Sequence, residues 1–261
     1  NPANRDLAYL GVIGAVGDRH NRAGKLVGQN RLALEQAVAL GDVHLEENNG
    51  QEQYWLTRFG DPLPLDTFWR SVTTLGAAGY YMGGPALGMQ MCLAGPSPEV
   101  ERKLAELSRL KEAAFSRTLD RLRQNGLWQT HYCQWFVVER DFEPMGVKMI
   151  GQFCEDIADE PFIDPHKYIV GFQIMPPETP GLGRFDWELY KVSMRVPAVL
   201  EHQILVEQSM PGLAAIVPPA AEAVGGSIDA CHNYAAATVI DVDRATDLLA
   251  EMDRLVEVFK A

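Results

Sequence analysis

From residue 131 to the C-terminus, segments that read as strands alternate with segments that read as helices. No other feature of the sequence constrains its fold as strongly. Residues 131–139 are aromatic and β-branched and predict a strand; after a turn at 142–146, residues 147–158 predict a helix. Residues 168–174 predict a second strand. A third covers 189–196, where Tyr190, Val192, Met194 and Val196 alternate with Lys191, Ser193 and Arg195. Residues 212–224 read as a helix begun or interrupted by Pro218 and Pro219, and 236–241 as a further strand. The final helix is expected to bury Leu248, Met252, Leu255 and Phe259. Strands alternating with helices imply an α/β architecture for residues 127–261, a mixed sheet flanked by helices.

Upstream the pattern is more helical. Ser97 is a natural N-cap, Pro98 suits the first turn, Glu99 and Glu101 favour its positive end, and Gly126 suits a stop, so residues 98–125 predict one long helix. Its apolar stripe runs through Val100, Leu104, Leu107, Leu110, Ala114, Phe115, Leu119 and Leu122, and its basic residues read as a solvated face or as a basic face towards a polyanion. Residues 29–41 predict a shorter helix with Leu32, Ala33, Gln36, Ala37 and Leu40 on one face. The apolar run 7–17 fits either a strand or a small-residue helix, and the polar residues 42–60 a hairpin or loop. In the Gly- and Pro-rich stretch that follows, Tyr80 and Tyr81 read as a base-stacking surface or as packing under a loop.

Composition narrows the partners. A net charge of −12 with a pI near 4.9 argues against a broad electrostatic footprint for duplex DNA, yet leaves room for a nucleotide or single strand held by a few cations. Cys92, Cys133, Cys154 and Cys231 are widely spaced and form no CxxC, as expected of reduced thiols in the cytoplasm. No apolar run approaches the ~20 residues of a membrane helix. The sequence begins without an initiator Met or a signal-peptide core and reads like the middle of a longer protein.

Three groups of residues carry chemical information. Residues 225–237 join Gly225 and Gly226 to His232 and Asn233 through what reads as a tight loop, backed by small residues leading into a strand. Lys191, Ser193 and Arg195 are predicted on one face of a strand, spaced for an anion. Asp18 and His20 stand at the polar end of the run 7–17. A carboxylate there suits Mg2+ or Mn2+ and an imidazole suits Mn2+, whereas the plain alternative is that Asp18 caps a helix or turn.

The order of these pieces resembles the C-terminal part of DHH-family phosphoesterases of the RecJ type, specifically the archaeal RecJ-like nucleases. The residues that carry the resemblance are Gly17-Asp18, the Asn30-Arg31 helix, the long helix, the turn and helix over 142–158, the strand with Ser193 and Arg195, and the Gly225–Ala237 segment. It implies three segments: 1–45, the end of a DHH catalytic domain; 46–126, a helical connector; and 127–261, a DHH-associated substrate domain. It further implies that Asp18 is a catalytic residue and ligand of the last metal motif, with His20 as a further ligand, in a two-cation site for Mn2+ or Mg2+. The first three metal motifs would lie upstream of Asn1. Gly225, Gly226, His232, Asn233, Ser193 and Arg195 are implied to hold a substrate phosphate. The activity implied is metal-dependent phosphodiester hydrolysis of single-stranded DNA or RNA, or of a small nucleotide, with this chain as the gripping part. The alternative within the same resemblance is a non-catalytic nucleotide-binding or replication-scaffold module with a protein partner. One departure stands out: the family has further glycines immediately before the histidine, where this chain has Ser227-Ile228-Asp229-Ala230-Cys231.

Overall fold

A computed structural model describes residues 2–21 and 23–261. The chain divides into two compact units, Asn1–Ser108 and Arg109–Ala261.

In the first unit the run 7–17 is helical. α1 (Ala8–Gly17) buries Tyr9, Val12, Ile13 and Val16, and α2 (Gly28–Ala39) packs beside it. The helices approach through small residues: a Cβ on Gly11 would lie 3.5 Å from Ala33 Cβ. That contact turns α2 so that Leu34 and Ala37 are buried, while Leu32 and Leu40, expected on the inner face, are exposed. The polar segment after α2 is a hairpin. β1 (Val43–Asn48) pairs antiparallel with β2 (Gln51–Leu56) around Asn49-Gly50, both at positive φ, as a two-residue turn of this kind requires. β3 (Leu63–Pro64) extends this sheet and leads into α3 (Leu65–Thr73) and α4 (Gly84–Ala94). Gly79 and Gly84 both lie against the Leu75 carbonyl with no room for a Cβ. The Tyr80 and Tyr81 rings meet each other edge to face at 5.0 Å.

α5 (Pro98–Asn125) has the bounds its sequence predicts. Ser97 Oγ accepts the Val100 N–H at 3.3 Å, and Gly126 at φ 72° takes the left-handed position after the last turn. The division between units falls within α5. β2, α3 and α4 belong with α1 and α2. The C-terminal half of α5 belongs to the second unit, where Phe115 packs 5.0 Å from both Phe142 and Phe153.

The second unit is the expected mixed sheet flanked by helices. Its elements in order are β4 (Trp128–Gln129), β5 (Cys133–Glu139), α6 (Met149–Asp156), β6 (Tyr168–Ile174), the short ladder β7 (Glu178–Thr179) and β8 (Gly183–Arg184), β9 (Leu189–Arg195), α7 (Ala198–His202), α8 (Leu213–Ala223), β10 (Ser227–Cys231), β11 (Ala235–Asp241) and α9 (Ala245–Lys260). The main sheet has strand order β10-β11-β9-β6-β5-β4. Only β5 and β6 run parallel, joined by the crossover that contains α6. On one face Val192, Met194, Ala236 and Ile240 pack with Leu213, Ile216, Val217, Leu248 and Met252 into a continuous core. α9 contributes Val256 to this core, whereas Phe259, expected there, is 50% exposed one turn further along. α6 covers the opposite face over β6 and β9.

Candidate phosphate-binding site

Strand periodicity sends Val192 and Met194 into the core, so Lys191, Ser193 and Arg195 stand on the α6 side of β9. Across β6 their register partners are Gln173, Gly171 and Ile169; across β11 they are Val239, Ala237 and Ala235. Two glycines let α6 lie low over this face. A Cβ on Gly171 would fall 2.6 Å from Cys154 Sγ and 2.8 Å from Ile150 Cδ1, which explains a glycine in the middle of an otherwise apolar strand. On α6 itself, a Cβ on Gly151 would fall 3.1 Å from Ser193 Oγ and 3.2 Å from Arg195 Nη2. The Ser193 hydroxyl and the Arg195 guanidinium therefore lie side by side against the α6 backbone at Gly151.

Polar groups continue along this face. Gln173, Lys191 and Ser193 are 1%, 5% and 3% exposed, and Gln173 Oε1 has no hydrogen-bond partner among the described residues. Lys191 Nζ donates to the Asp229 carboxylate on the edge strand β10, at the bulge between Ile228 and Ala230. The hydrogen bond from Lys191 holds the Asp229 carboxyl below the usual carboxylate range; partial burial opposes this, and the charges of Lys191 and Lys148 reinforce it. Arg195 is oriented by its Nη1, which donates to the Met194 carbonyl at 2.9 Å, and by Glu155 Oε2 at 3.9 Å from Nε.

β11 pairs Ala235 with Arg195, so the turn joining β10 to β11 lies at the Arg195 end of the sheet. In that turn the His232 N–H donates to the Ala235 carbonyl at 2.7 Å, and the Asn233 carbonyl accepts the Leu213 N–H at 2.9 Å. Gly212 leaves room for the Asn233 side chain, since a Cβ there would lie 2.5 Å from Asn233 Oδ1. The His232 imidazole is exposed, 6.3 Å from the Tyr234 ring.

Gly225 and Gly226 stand elsewhere. Gly225 N–H donates to Glu222 O at 3.1 Å and Gly226 N–H to Ala221 O at 2.8 Å, ending α8 with Gly225 at φ 76°. Residues 225–237 are thus not one tight loop. Ser227–Cys231 pairs with β11 as an edge strand, so a helix cap and a turn are held apart by roughly 17 Å of β10. The structure brings Ser193 and Arg195 together, puts His232 and Asn233 at the same end of the sheet, and leaves Gly225 and Gly226 as the stop of α8. Sequence reasoning missed Gly151, Gln173 and the Asp229 partner of Lys191. A glycine inside the apolar strand 168–174 was the available signal for close approach of α6.

Asp18 stands at the C-terminal end of α1. It follows the last residue of α1, its N–H donating to Gly14 O at 2.9 Å, and it is exposed. His20 Nδ1 lies 2.7 Å from Asn30 Nδ2. No group of three His, Cys, Asp or Glu is assembled for a metal among the described residues. One carboxylate and one imidazole do not make the donor set of a two-cation centre, so these residues do not fit one by themselves. The thiols are free; burial pushes the Cys154 thiol up to about 12, and burial also raises Cys92, Cys133 and Cys231. No helix among the described residues is long and apolar enough to cross a membrane.

No protein-family model matches the chain, and no curated protein matches it. Among solved structures, the chain is similar to a DHH-domain protein described as a member of the s1p family of ribosomal proteins. That match has a TM-score of 0.50 and 13% identity, and covers 100% of this chain and 52% of the other. CDC45 from Entamoeba histolytica aligns with a TM-score of 0.45 and 7% identity over 88% of this chain and 45% of that one. The chain spans about half the length of these structures. The first likeness is one of fold: this α/β chain has a fold of the DHH type.

Proposed function

We propose that residues 109–261 grip a phosphate of a nucleotide or of single-stranded DNA or RNA, as the substrate-holding part of a phosphodiester-hydrolysing protein. One observation carries this reading: Ser193 Oγ and Arg195 Nη2 converge at Gly151, where a side chain would intrude on both. A guanidinium and a hydroxyl side by side are donors of the kind that hold a tetrahedral anion, and Arg pairs with phosphate through charge-assisted bonds. His232 and Asn233 border the same end of the sheet, and the half-buried Ala235 and Ala237 leave a low floor beside these donors. Gly225 and Gly226 have no part in this grip. In a hydrolytic protein the grip would hold the phosphate at the bond to be cut. Asp18 offers one carboxylate, and Mn2+ or Mg2+ would need more donors than Asp18 and His20 give. A non-catalytic module, for example one that serves a replication assembly through a protein partner, would use the same grip without the cutting step.

The test is calorimetric titration of 5′-AMP and of short DNA and RNA strands. Arg195→Ala and His232→Ala are each expected to weaken binding by about 1.5–3 kcal/mol, the worth of a hydrogen bond to a charged group. Unchanged affinity in both variants overturns the reading. Adding Mn2+ and following product release separates a hydrolytic protein from a binding module.

A further inference from the structure

A cavity of 680 Å3 opens in the second unit, away from Ser193 and Arg195. Its lining includes Arg140 just after β5 and Ile174 at the end of β6, so it lies off the carboxyl ends of the two parallel strands. In open α/β sheets that is where ligands gather. The other wall is the strap between β6 and β9. There the Phe185 and Trp187 rings stack at 4.4 Å, only 8° from parallel. Neither ring is loosely placed: Phe185 N–H donates to Pro177 O at 2.8 Å, and Trp187 Nε1–H donates to Pro176 O at 3.2 Å. The β7–β8 ladder ties the strap to itself, and Val242 N–H binds Glu188 O at 3.0 Å. Arg140, Arg184, Asp186 and Glu188 are among the residues that line it, and Arg140 Nε stands 3.8 Å from Glu143 Oε1.

We propose that this cavity is a second nucleotide-binding site, which stacks a nucleobase on the Phe185–Trp187 pair and holds its phosphate with Arg140 and Arg184. Parallel aromatic rings with an exposed outer member offer the flat platform on which bases stack regardless of sequence. A guanidinium supplies either a phosphate contact or a further stacking plane. The carboxylates accept hydrogen bonds from a base's amino groups, and with two of each charge the lining suits one phosphate better than a polyphosphate. A proline-rich peptide also seeks stacked aromatics, but it has no use for paired guanidinium groups. The ends of β9 are about 20 Å apart, so the two sites do not compete for one phosphate.

The site is tested in the Arg195→Ala chain, which weakens the first grip, and dependence on Phe185 keeps the two readings distinguishable. 5′-AMP titrated into that chain is expected to bind, with affinity about five- to hundred-fold weaker when Phe185→Ala is added and also weaker with Arg184→Ala. Both residues are exposed, so neither change should unfold the unit, and a circular dichroism melt checks this. Adenosine should bind more weakly than 5′-AMP. If a six-residue oligoadenylate binds tighter than 5′-AMP and Phe185→Ala abolishes the gain, the site takes a base of a strand; equal affinity assigns it to the free nucleotide. Absence of 5′-AMP binding at millimolar concentration, or binding indifferent to both substitutions, overturns the proposal. So does a proline-rich peptide that binds through Phe185 where 5′-AMP does not.

Discussion

Lys191 and Asp229 are joined across β11, the lysine on β9 reaching the aspartate on the edge strand β10. The lysine side chain is 6% exposed and the aspartate 49%, so the pair stands at the margin between core and solvent. An acidic residue beside the proposed phosphate grip is unfavourable unless its charge is taken up, and here a buried cation takes it up. Asp229→Ala leaves that cation without its partner and is expected to destabilise the second unit by about 1–3 kcal/mol. Asp229→Ala combined with Lys191→Met should recover most of the loss, because it removes the stranded charge. Urea denaturation of the single and double variants decides it; a double variant no more stable than Asp229→Ala refutes the account.

The pair also has a pH signature. Asp229 is held below its ordinary value by the Lys191 hydrogen bond. Glu52 is also lowered: burial pushes it up, but hydrogen bonds from Tyr54 at 2.7 Å and Arg31 at 2.6 Å outweigh that. A carboxylate whose folded pKa is depressed binds protons more readily when unfolded. Its contribution is therefore complete above the ordinary value, about 4, and is lost as pH falls through the lower folded value. Melting temperature should be flat for these groups above about pH 5 and fall below pH 4, less steeply in Asp229→Asn. Equal acid slopes in the variant and the parent chain would count against the shift.

Thiol chemistry should be slow. Cys133 and Cys154 are fully buried, and burial raises all four cysteines. Cys231 precedes His232, yet its Sγ–H donates to the Leu213 carbonyl at 3.5 Å, an arrangement that does not yield a thiolate. At pH 7.5 native chain is expected to react with Ellman's reagent far more slowly than denatured chain, with Cys133 and Cys154 last. Rapid native modification of Cys231, read by mass spectrometry, would contradict this.

What the sequence made legible was whatever local chemistry alone decides. Ser97 and Gly126 bracket α5 because capping and left-handed stops involve only near neighbours. The alternation in 189–196 placed Ser193 and Arg195 on one face because period two needs no knowledge of the partner strands. β10 was illegible for the opposite reason: at the sheet edge Ser227 to Ala230 are all exposed, so no burial pattern marks them as a strand. Leu32 and Leu40 misled because the contact of Gly11 with Ala33, not the number of leucines, sets the inner face of α2. Lys191 and Asp229 are distant in sequence and meet only through β11, a contact that no spacing rule predicts.

Gly151 separates function from stability most cleanly. It lies within α6, where glycine costs about 1 kcal/mol relative to alanine, so helix propensity favours Gly151→Ala. Against this, the new methyl would sit 3.1 Å from Ser193 Oγ and 3.2 Å from Arg195 Nη2. Both are ends of side chains that can yield by a few tenths of an ångström, but yielding moves both proposed phosphate donors at once. Gly151→Ala is therefore expected to change unfolding free energy by less than about 1 kcal/mol while weakening 5′-AMP binding at the first grip by tenfold or more. Measuring that affinity in a Phe185→Ala background lowers the share of the Phe185–Trp187 cavity in the readout. A variant that melts like the parent and still binds 5′-AMP as tightly would remove the donor pair at Gly151 from the site.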